Sequence, residues 1–388
     1  MISERPGRAV QWHEARALAA GAASTLGSET VSLDQAIGRI LATDLLALTD
    51  VPHYASSAMD GWAVSGQGPW RLVDTPVLEA GLATPIVTGG MIPAGAEAVL
   101  RSETGTEREG QLESHSAIGE PRPAQHIRGS GQEAHAGDLV VRAGTLLNPA
   151  HIALAAGCGW DALGVIRKAG VRVLLTGDEV DARGIPGPGR VRDSFGPQLP
   201  AVLRMLGADV VSQRRIRDDL IATIEAIGYS SDSAEVIVTT GGTGDSAADH
   251  LRVALRSLGA EFLVTRIAMR PGAPTMLARL TDGRLLIGLP GNPLAAMMGL
   301  MTLVTPVLAG FQGRSTVVGN VVSAEAIEGK TGSHLLVPYR LKQGRAVANG
   351  WQGSGMMRGL ADAAGVLVIP PDGITAGELV ESLALPWC

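Results

Sequence analysis

Val236-Ile-Val-Thr-Thr-Gly-Gly-Thr-Gly-Asp245 and Leu285-Leu-Ile-Gly-Leu-Pro-Gly-Asn-Pro293 each read as a β-rich apolar strand that runs into a glycine-rich loop and then a helix. Between them lies Arg270-Pro-Gly-Ala-Pro274. Glycine lets backbone amides approach a ligand, and the start of the following helix carries partial positive charge. Two such loops in one unit predict a site for an extended anion. The first loop taken alone reads more readily as a tight turn. It is no Walker loop, because no Gly-Lys-Ser/Thr follows. The second is more specific, since Pro290 and Pro293 fix the backbone on either side of Gly291 and Asn292, with Asn292 expected to cap the helix.

Outward from these loops, residues 171–310 alternate strand and helix signals. Val171–Leu175 reads as a strand ending in Thr176-Gly-Asp-Glu179, and Leu199–Leu206 as a helix stopped by Gly207. Ala208–Val211 reads as a short strand, Asp218–Ile227 as a helix and Asp249–Leu258 as a helix capped by Asp249. The rhythm predicts a central doubly wound, mainly parallel sheet in an α/β multidomain chain, with ligands at the carboxyl ends of the strands. Short strand-like runs on both flanks, among them Val317–Val322, Leu335–Leu341 and Gly365–Ile369, predict small β-rich domains. The expected division is residues 1–50 with 140–168 as an N-terminal linking domain, 51–139 inserted in it, 169–312 as the α/β domain and 313–388 as a C-terminal β domain.

Composition narrows the function. A chain of 388 residues with 45% hydrophobic residues supports several cores, and a net charge of −6 argues against nucleic acid as the main partner. Arg214-Arg215-Ile216-Arg217 reads as a solvated surface stretch. Only Lys168, Lys330 and Lys342 are lysines, so 29 of the 32 basic residues are Arg, a bias of the whole chain. Cys158 and Cys388 form no CxxC pair, which speaks against a disulfide framework or structural zinc and for a cytoplasmic protein. No charged residue falls between Leu285 and Gly313, a span long enough to cross a bilayer. Because Pro290, Gly291, Asn292 and Pro293 interrupt it, a buried strand and a buried helix are expected there, with no membrane.

Several polar residues suit chemistry and also a plainer role. Asp60, in Ser56-Ser-Ala-Met-Asp-Gly-Trp-Ala-Val64, is by itself a turn aspartate. Asp178 and Glu179 at a strand's carboxyl end suit Mg²⁺ or a helix cap, and Asp249 suits a cation beside a phosphate or a cap.

Taken in order, the segments resemble the molybdopterin molybdenumtransferase family, the MoeA type also found as the E domain of gephyrin. The matching motifs are Ser57-Ala-Met-Asp-Gly-Trp-Ala-Val64, Ile86-Val-Thr-Gly-Gly90 with Pro93–Val99, Thr176-Gly-Asp-Glu179 and Arg192-Asp-Ser194. Thr240-Gly-Gly242, Ala268-Met-Arg-Pro-Gly-Ala-Pro274, Gly288-Leu-Pro-Gly-Asn-Pro293 and the tail Gly353–Pro370 follow. The resemblance implies a four-part elongated subunit with a molybdopterin-binding domain, and a homodimer with a shared active site. It implies insertion of molybdate into adenylylated molybdopterin, with Mg²⁺ assisting and AMP released. Molybdopterin adenylyltransferase and cofactor-receiving molybdoenzymes are the further partners it suggests.

By motif position Asp60, Glu179, Asp218 and Asp249 are expected as catalytic residues, with Glu179 and Asp249 on the metal. Thr88, Thr240, Gly241, Gly242, Thr243, Pro290, Gly291, Asn292 and Pro293 are expected to bind substrate. Arg266 and Arg270 fall where the family has lysines, and Arg340 and Ser354 would face the oxyanion. Three departures stand out: Gly241-Gly-Thr-Gly-Asp-Ser246 in place of Gly-Gly-Val-Ser-Val-Gly, Phe195 in place of Asn, and Ala273 in place of the second lysine of Lys-Pro-Gly-Lys-Pro. The first resembles the related adenylyltransferase loop. Ala273 removes one cationic partner of an oxyanion, so the alternative expectation is a divergent or non-catalytic scaffold that binds molybdopterin or a partner protein.

Overall fold

A computed structural model describes residues 9–115, 120–229, 233–243 and 250–388. The chain forms two compact units, Ser28–Val165 and a larger one of residues 1–27 with Ile166–Cys388.

The larger unit is organised by a six-stranded sheet in the order Asp209–Arg215, Gly170–Leu175, Ala234–Thr240, Leu285–Leu289, Met276–Arg279, Glu261–Val264. The first four strands run parallel, and the last two add antiparallel pairs at the edge. Gly170–Leu175 and Leu285–Leu289 are buried along their whole length, which explains their unbroken apolar sequence: a parallel sheet is covered on both faces. Alternation then divides the side chains. Val171, Val173, Leu175, Val236, Val238, Leu285 and Ile287 enter one core with Trp12, Leu199 and Leu303. Leu174, Ile237 and Leu286 enter the other with Ile227, Leu251 and Leu255. Arg172, on that second side and 1% exposed, lays its guanidinium over the Tyr229 ring and donates from Nη1 to the Ala226 carbonyl at 2.9 Å.

The charge-free stretch resolves into a strand and a helix, as expected. The helix Pro293–Phe311 is long and apolar enough to cross a membrane, and 83% of its apolar window is buried inside the protein. A π-helical turn, Leu300–Val304, sits just before Pro306, whose ring has no N–H and crowds the preceding turn. Against this helix packs Trp12–Ala22, which the sequence grouped with residues 1–50. Trp12 Nε1 donates to Thr302 Oγ1 at 3.1 Å, and Arg16 Nη1 to the Met301 carbonyl at 2.7 Å. By packing, that helix belongs to the larger unit, because its apolar face meets a core more than 270 residues away in sequence.

A second sheet of the larger unit runs Met269–Arg270, His334–Lys342, Gly365–Ile369, Leu379–Leu383, Gly319–Val322, with Arg345–Ala348 beside the long strand. Met269 and Arg270 pair in parallel with His334 and Leu335. This anchors the segment Arg270–Pro274 to the C-terminal sheet.

In the smaller unit a six-stranded sheet surrounds a core of Val64, Trp70, Ala83, Leu100 and Leu112. A separate core holds Leu41, Leu45, Leu147, Leu163 and Val165 under the helix Pro149–Gly157, which Asn148 and His151 cap reciprocally.

Candidate functional site

The strand register brings the carboxyl ends together: Leu175 pairs with both Arg215 and Thr240, and Thr240 with Leu289. The loops that follow therefore meet where the strand order reverses, the usual ligand crevice of such sheets. Gly241 turns at φ +80°, and a Cβ there would stand 2.6 Å from Thr176 Oγ1. Thr176 Oγ1 donates to the Thr240 carbonyl at 2.5 Å, and Gly241 N to the Leu289 carbonyl at 2.9 Å. The loop thus stays flat against its neighbours and leaves its outer side to a ligand.

Asp218 immediately precedes Asp219, the N-cap of the helix Leu220–Gly228, which accepts from Ala222 N at 2.9 Å. Asp218 turns to the adjacent loop instead. Its carboxylate accepts Gly177 N at 3.0 Å and Asp178 N at 3.1 Å, so it fixes the backbone that carries Glu179.

A cleft of about 760 Å³ opens on these loops. One wall holds Thr176, Glu179, Asp218, Thr240, Gly241 and Gly242, with Gly291, Asn292 and Pro293 at one end. Val191–Phe195 and Arg215 also line the cleft, and Gly355 and Met357 reach in from the C-terminal part. Thr243 is buried under the loop at 3% exposure and does not line the cleft.

A neighbouring depression of about 440 Å³ shares Asn292 and collects Arg266, Arg270, Ala273, Pro290 and Ser354, floored by Leu335–Val337. Three of the residues expected around an oxyanion, Arg266, Arg270 and Ser354, are thus brought together from two segments. Arg340 is not among them: it is exposed, and its Nη1 donates to Asn349 Oδ1 at 3.3 Å on the far part of its strand.

The helix entrance at Pro293 differs from expectation in one respect. Asn292 makes no side-chain cap bond. Pro293 has no N–H, and the Ala295 amide is taken by the Ser354 carbonyl at 3.1 Å. The entrance is therefore a junction between the central and C-terminal parts, with few amides left for an anion. Asn292 lines both depressions.

In the smaller unit, the antiparallel register that sets Gly61 opposite Ile86 brings Asp60 beside Thr88. Asp60 Oδ1 accepts Thr88 N at 2.6 Å and Thr88 Oγ1 at 2.8 Å. These bonds hold the exposed carboxyl below the usual carboxylate range. Gly61, at φ +150°, is required because a Cβ would lie 2.0 Å from the Leu100 carbonyl oxygen.

Asp249 and the departing segment Gly244–Ser246 lie outside the described residues. Among the described residues no group of three or more His, Cys, Asp or Glu is placed to hold a metal ion. Two cleft residues escaped the sequence reading. Arg215 was grouped with a solvated stretch, and Asp193 was seen only as part of a motif. They pair at 2.6 Å on the cleft wall. The only signal available was alternation along the strand, which sends Arg214 and Arg215 to opposite faces.

Residues 10–159 match the family described as "MoeA N-terminal region (domain I and II)", residues 172–310 the "Probable molybdopterin binding domain", and residues 320–385 the "MoeA C-terminal region (domain IV)". The chain is 30% identical over 387 residues to a molybdopterin molybdenumtransferase of Staphylococcus aureus (strain MRSA252), covering 92% of this chain and 91% of that one. It is 28% identical over 381 residues to the enzyme of the same name from Staphylococcus epidermidis (strain ATCC 12228 / FDA PCI 1200), covering 90% of each. Among solved structures, the molybdopterin biosynthesis moea protein from Pyrococcus horikosii superposes with a TM-score of 0.79 at 27% identity, over 97% of this chain and 99% of that one.

Proposed function

The chain belongs to the MoeA family, and from that premise we propose that it is a molybdenum cofactor transferase that inserts molybdate into adenylylated molybdopterin and releases AMP. The observation that supports this reading best is the pair of depressions joined at Asn292. One has glycine loops and carboxylates suited to a phosphate-bearing ligand with a cation. The other has two guanidinium groups suited to a compact oxyanion.

In this reading Gly241, Gly242 and Thr240 seat the extended substrate, and Arg266, Arg270 and Ser354 take molybdate. Asp178 and Glu179 are exposed carboxylates at a strand's carboxyl end. As hard oxygen donors they are the residues that would hold Mg²⁺. The chemistry such an ion would supply is neutralisation of phosphoryl charge. Asp218 keeps Glu179 in place through the loop amides. A homodimer with a shared active site, a cytoplasmic setting, supply of substrate by a molybdopterin adenylyltransferase and delivery to a molybdoenzyme complete the proposal.

Purified chain given adenylylated molybdopterin, molybdate and Mg²⁺ is expected to release AMP and form the cofactor. A second reading, a scaffold that binds the pterin without turnover, is favoured by Ala273 lining the arginine depression where the family has lysine. Substrate binding without AMP release would establish that reading and sink the enzyme.

A further inference from the structure

Strand Asp209–Arg215 ends with two arginines that face opposite ways. Arg214 stacks on Tyr229 with 4.6 Å from its guanidinium carbon to the ring centroid, on the helix side of the sheet. Arg215 lines the cleft, where its Nη2 meets Asp193 Oδ2 at 2.6 Å. Asp193 is itself immobilised: its side chain is 8% exposed, and its Oδ1 accepts Phe195 N and Gly196 N, each at 2.9 Å. Gln213, two residues before Arg215 and on the same strand face, donates to the Gly196 carbonyl at 3.3 Å. The turn is therefore clamped twice, once by a charged group and once by a neutral one.

Arg215 has donors to spare. A guanidinium carries five N–H donors in a rigid fork, and among the described residues Asp193 is its one polar partner. The charge around the cleft says what those donors serve. Glu179 and Asp218 would repel a phosphate, so beyond any cation held by the carboxylates an anionic ligand gains from a cationic side chain in the cleft. Two arginines line the cleft. Arg192 is turned to the backbone, with Nη1 on the carbonyls of Asp181 at 3.3 Å and Asp193 at 3.1 Å. Arg215 remains, held at one corner and presenting the rest of its fork.

We propose that Arg215 is a substrate-binding residue that takes a phosphoryl oxygen of the adenylylated substrate. The inference rests on the proposed assignment of the cleft to the phosphate-bearing part of that substrate. It gives the family scaffold a nucleotide contact supplied by an edge strand, beyond the loops that carry the recognisable motifs.

The test is calorimetric titration of the full chain with AMP and, separately, with adenosine. Arg215→Ala is expected to weaken AMP binding by about tenfold or more, the loss of a charge-assisted contact, while adenosine binding stays within about twofold of the parent protein. Arg215→Lys, which keeps the charge and loses the fork, should fall between the two. Gln213→Ala removes the neutral clamp on the same turn and should leave AMP affinity unchanged. Unaltered AMP affinity in Arg215→Ala would overturn the inference and leave the cleft assignment standing, as would equal losses for AMP and adenosine or an equal loss in Gln213→Ala. Failure of the parent protein to bind AMP would overturn both.

Discussion

Gly241→Ala probes the crossing of the two strand-end loops. The present φ of +80° is left-handed, and an added Cβ would lie 2.6 Å from Thr176 Oγ1. Adopting that backbone with a side chain costs about 1–2 kcal/mol. Thr176 must also swing away and give up its 2.5 Å bond to the Thr240 carbonyl, a net loss of about 1 kcal/mol. Alanine restricts the unfolded chain and returns about 0.4–1 kcal/mol. The expected net destabilisation is about 2 kcal/mol, read as a lower midpoint of urea unfolding at unchanged slope. Gly291→Ala is the matched control: its Cβ would meet nothing closer than the Gly241 Cα at 3.7 Å, an ordinary contact. That variant should stay within about 0.5 kcal/mol of the parent. If Gly241→Ala did so too, the loop would accommodate a side chain without displacing Thr176, and the close approach of the two loops would be wrong.

Three further outcomes follow from the site. Asp218→Ala should free the Gly177 and Asp178 amides, seen as faster hydrogen exchange there, and reduce AMP release by about tenfold or more; Asp218→Asn, with one acceptor oxygen, should retain part of both. Ala273→Lys adds a cation to the arginine depression and should lower the molybdate concentration needed for half-maximal turnover, whereas an unchanged or raised value would argue that molybdate binds elsewhere. His334 has a buried Nδ1 without a partner, and burial, then the nearby His13, pushes its pKa below the ordinary 6.5 despite Glu381, which pairs with His13. Above 6.5 the imidazole is neutral in both states. As pH falls from 6.5 through the lowered folded pKa, the unfolded chain takes up the proton first and stability is lost. His334→Phe should flatten that acid limb in unfolding measurements between about pH 7 and 5; an identical limb would exclude His334 as its source.

The fold was largely legible because a parallel sheet covered on both faces demands unbroken apolar runs, and Val171–Leu175, Val236–Thr240 and Leu285–Leu289 have them. The glycine loops were legible for a related reason, since a left-handed turn at close approach leaves little choice but glycine at 241. Side-chain roles were less so. Asn292 has the residue type and position of a helix cap, yet the Ser354 carbonyl satisfies an amide of the first turn from the C-terminal part. Asp218 resembled a first-turn acidic residue and instead holds a loop 40 positions earlier. Arg215 looked like solvated charge because the carboxylate that orients it lies 22 residues away on another loop.

By itself the sequence determined the alternation of strands and helices, the candidate site at the carboxyl ends of the strands, and the family, since these rest on local pattern and ordered motifs. Only the tertiary structure decided which groups share a depression. Arg266, Arg270, Pro290 and Ser354 meet because Met269 and Arg270 pair with His334 and Leu335, and Arg340 drops out because it sits further along that same strand. Strand pairing and register are long-range choices, fixed by which faces can be buried together. Motif spacing carries no record of them, so the family was readable from the chain before the geometry that assembles the candidate site.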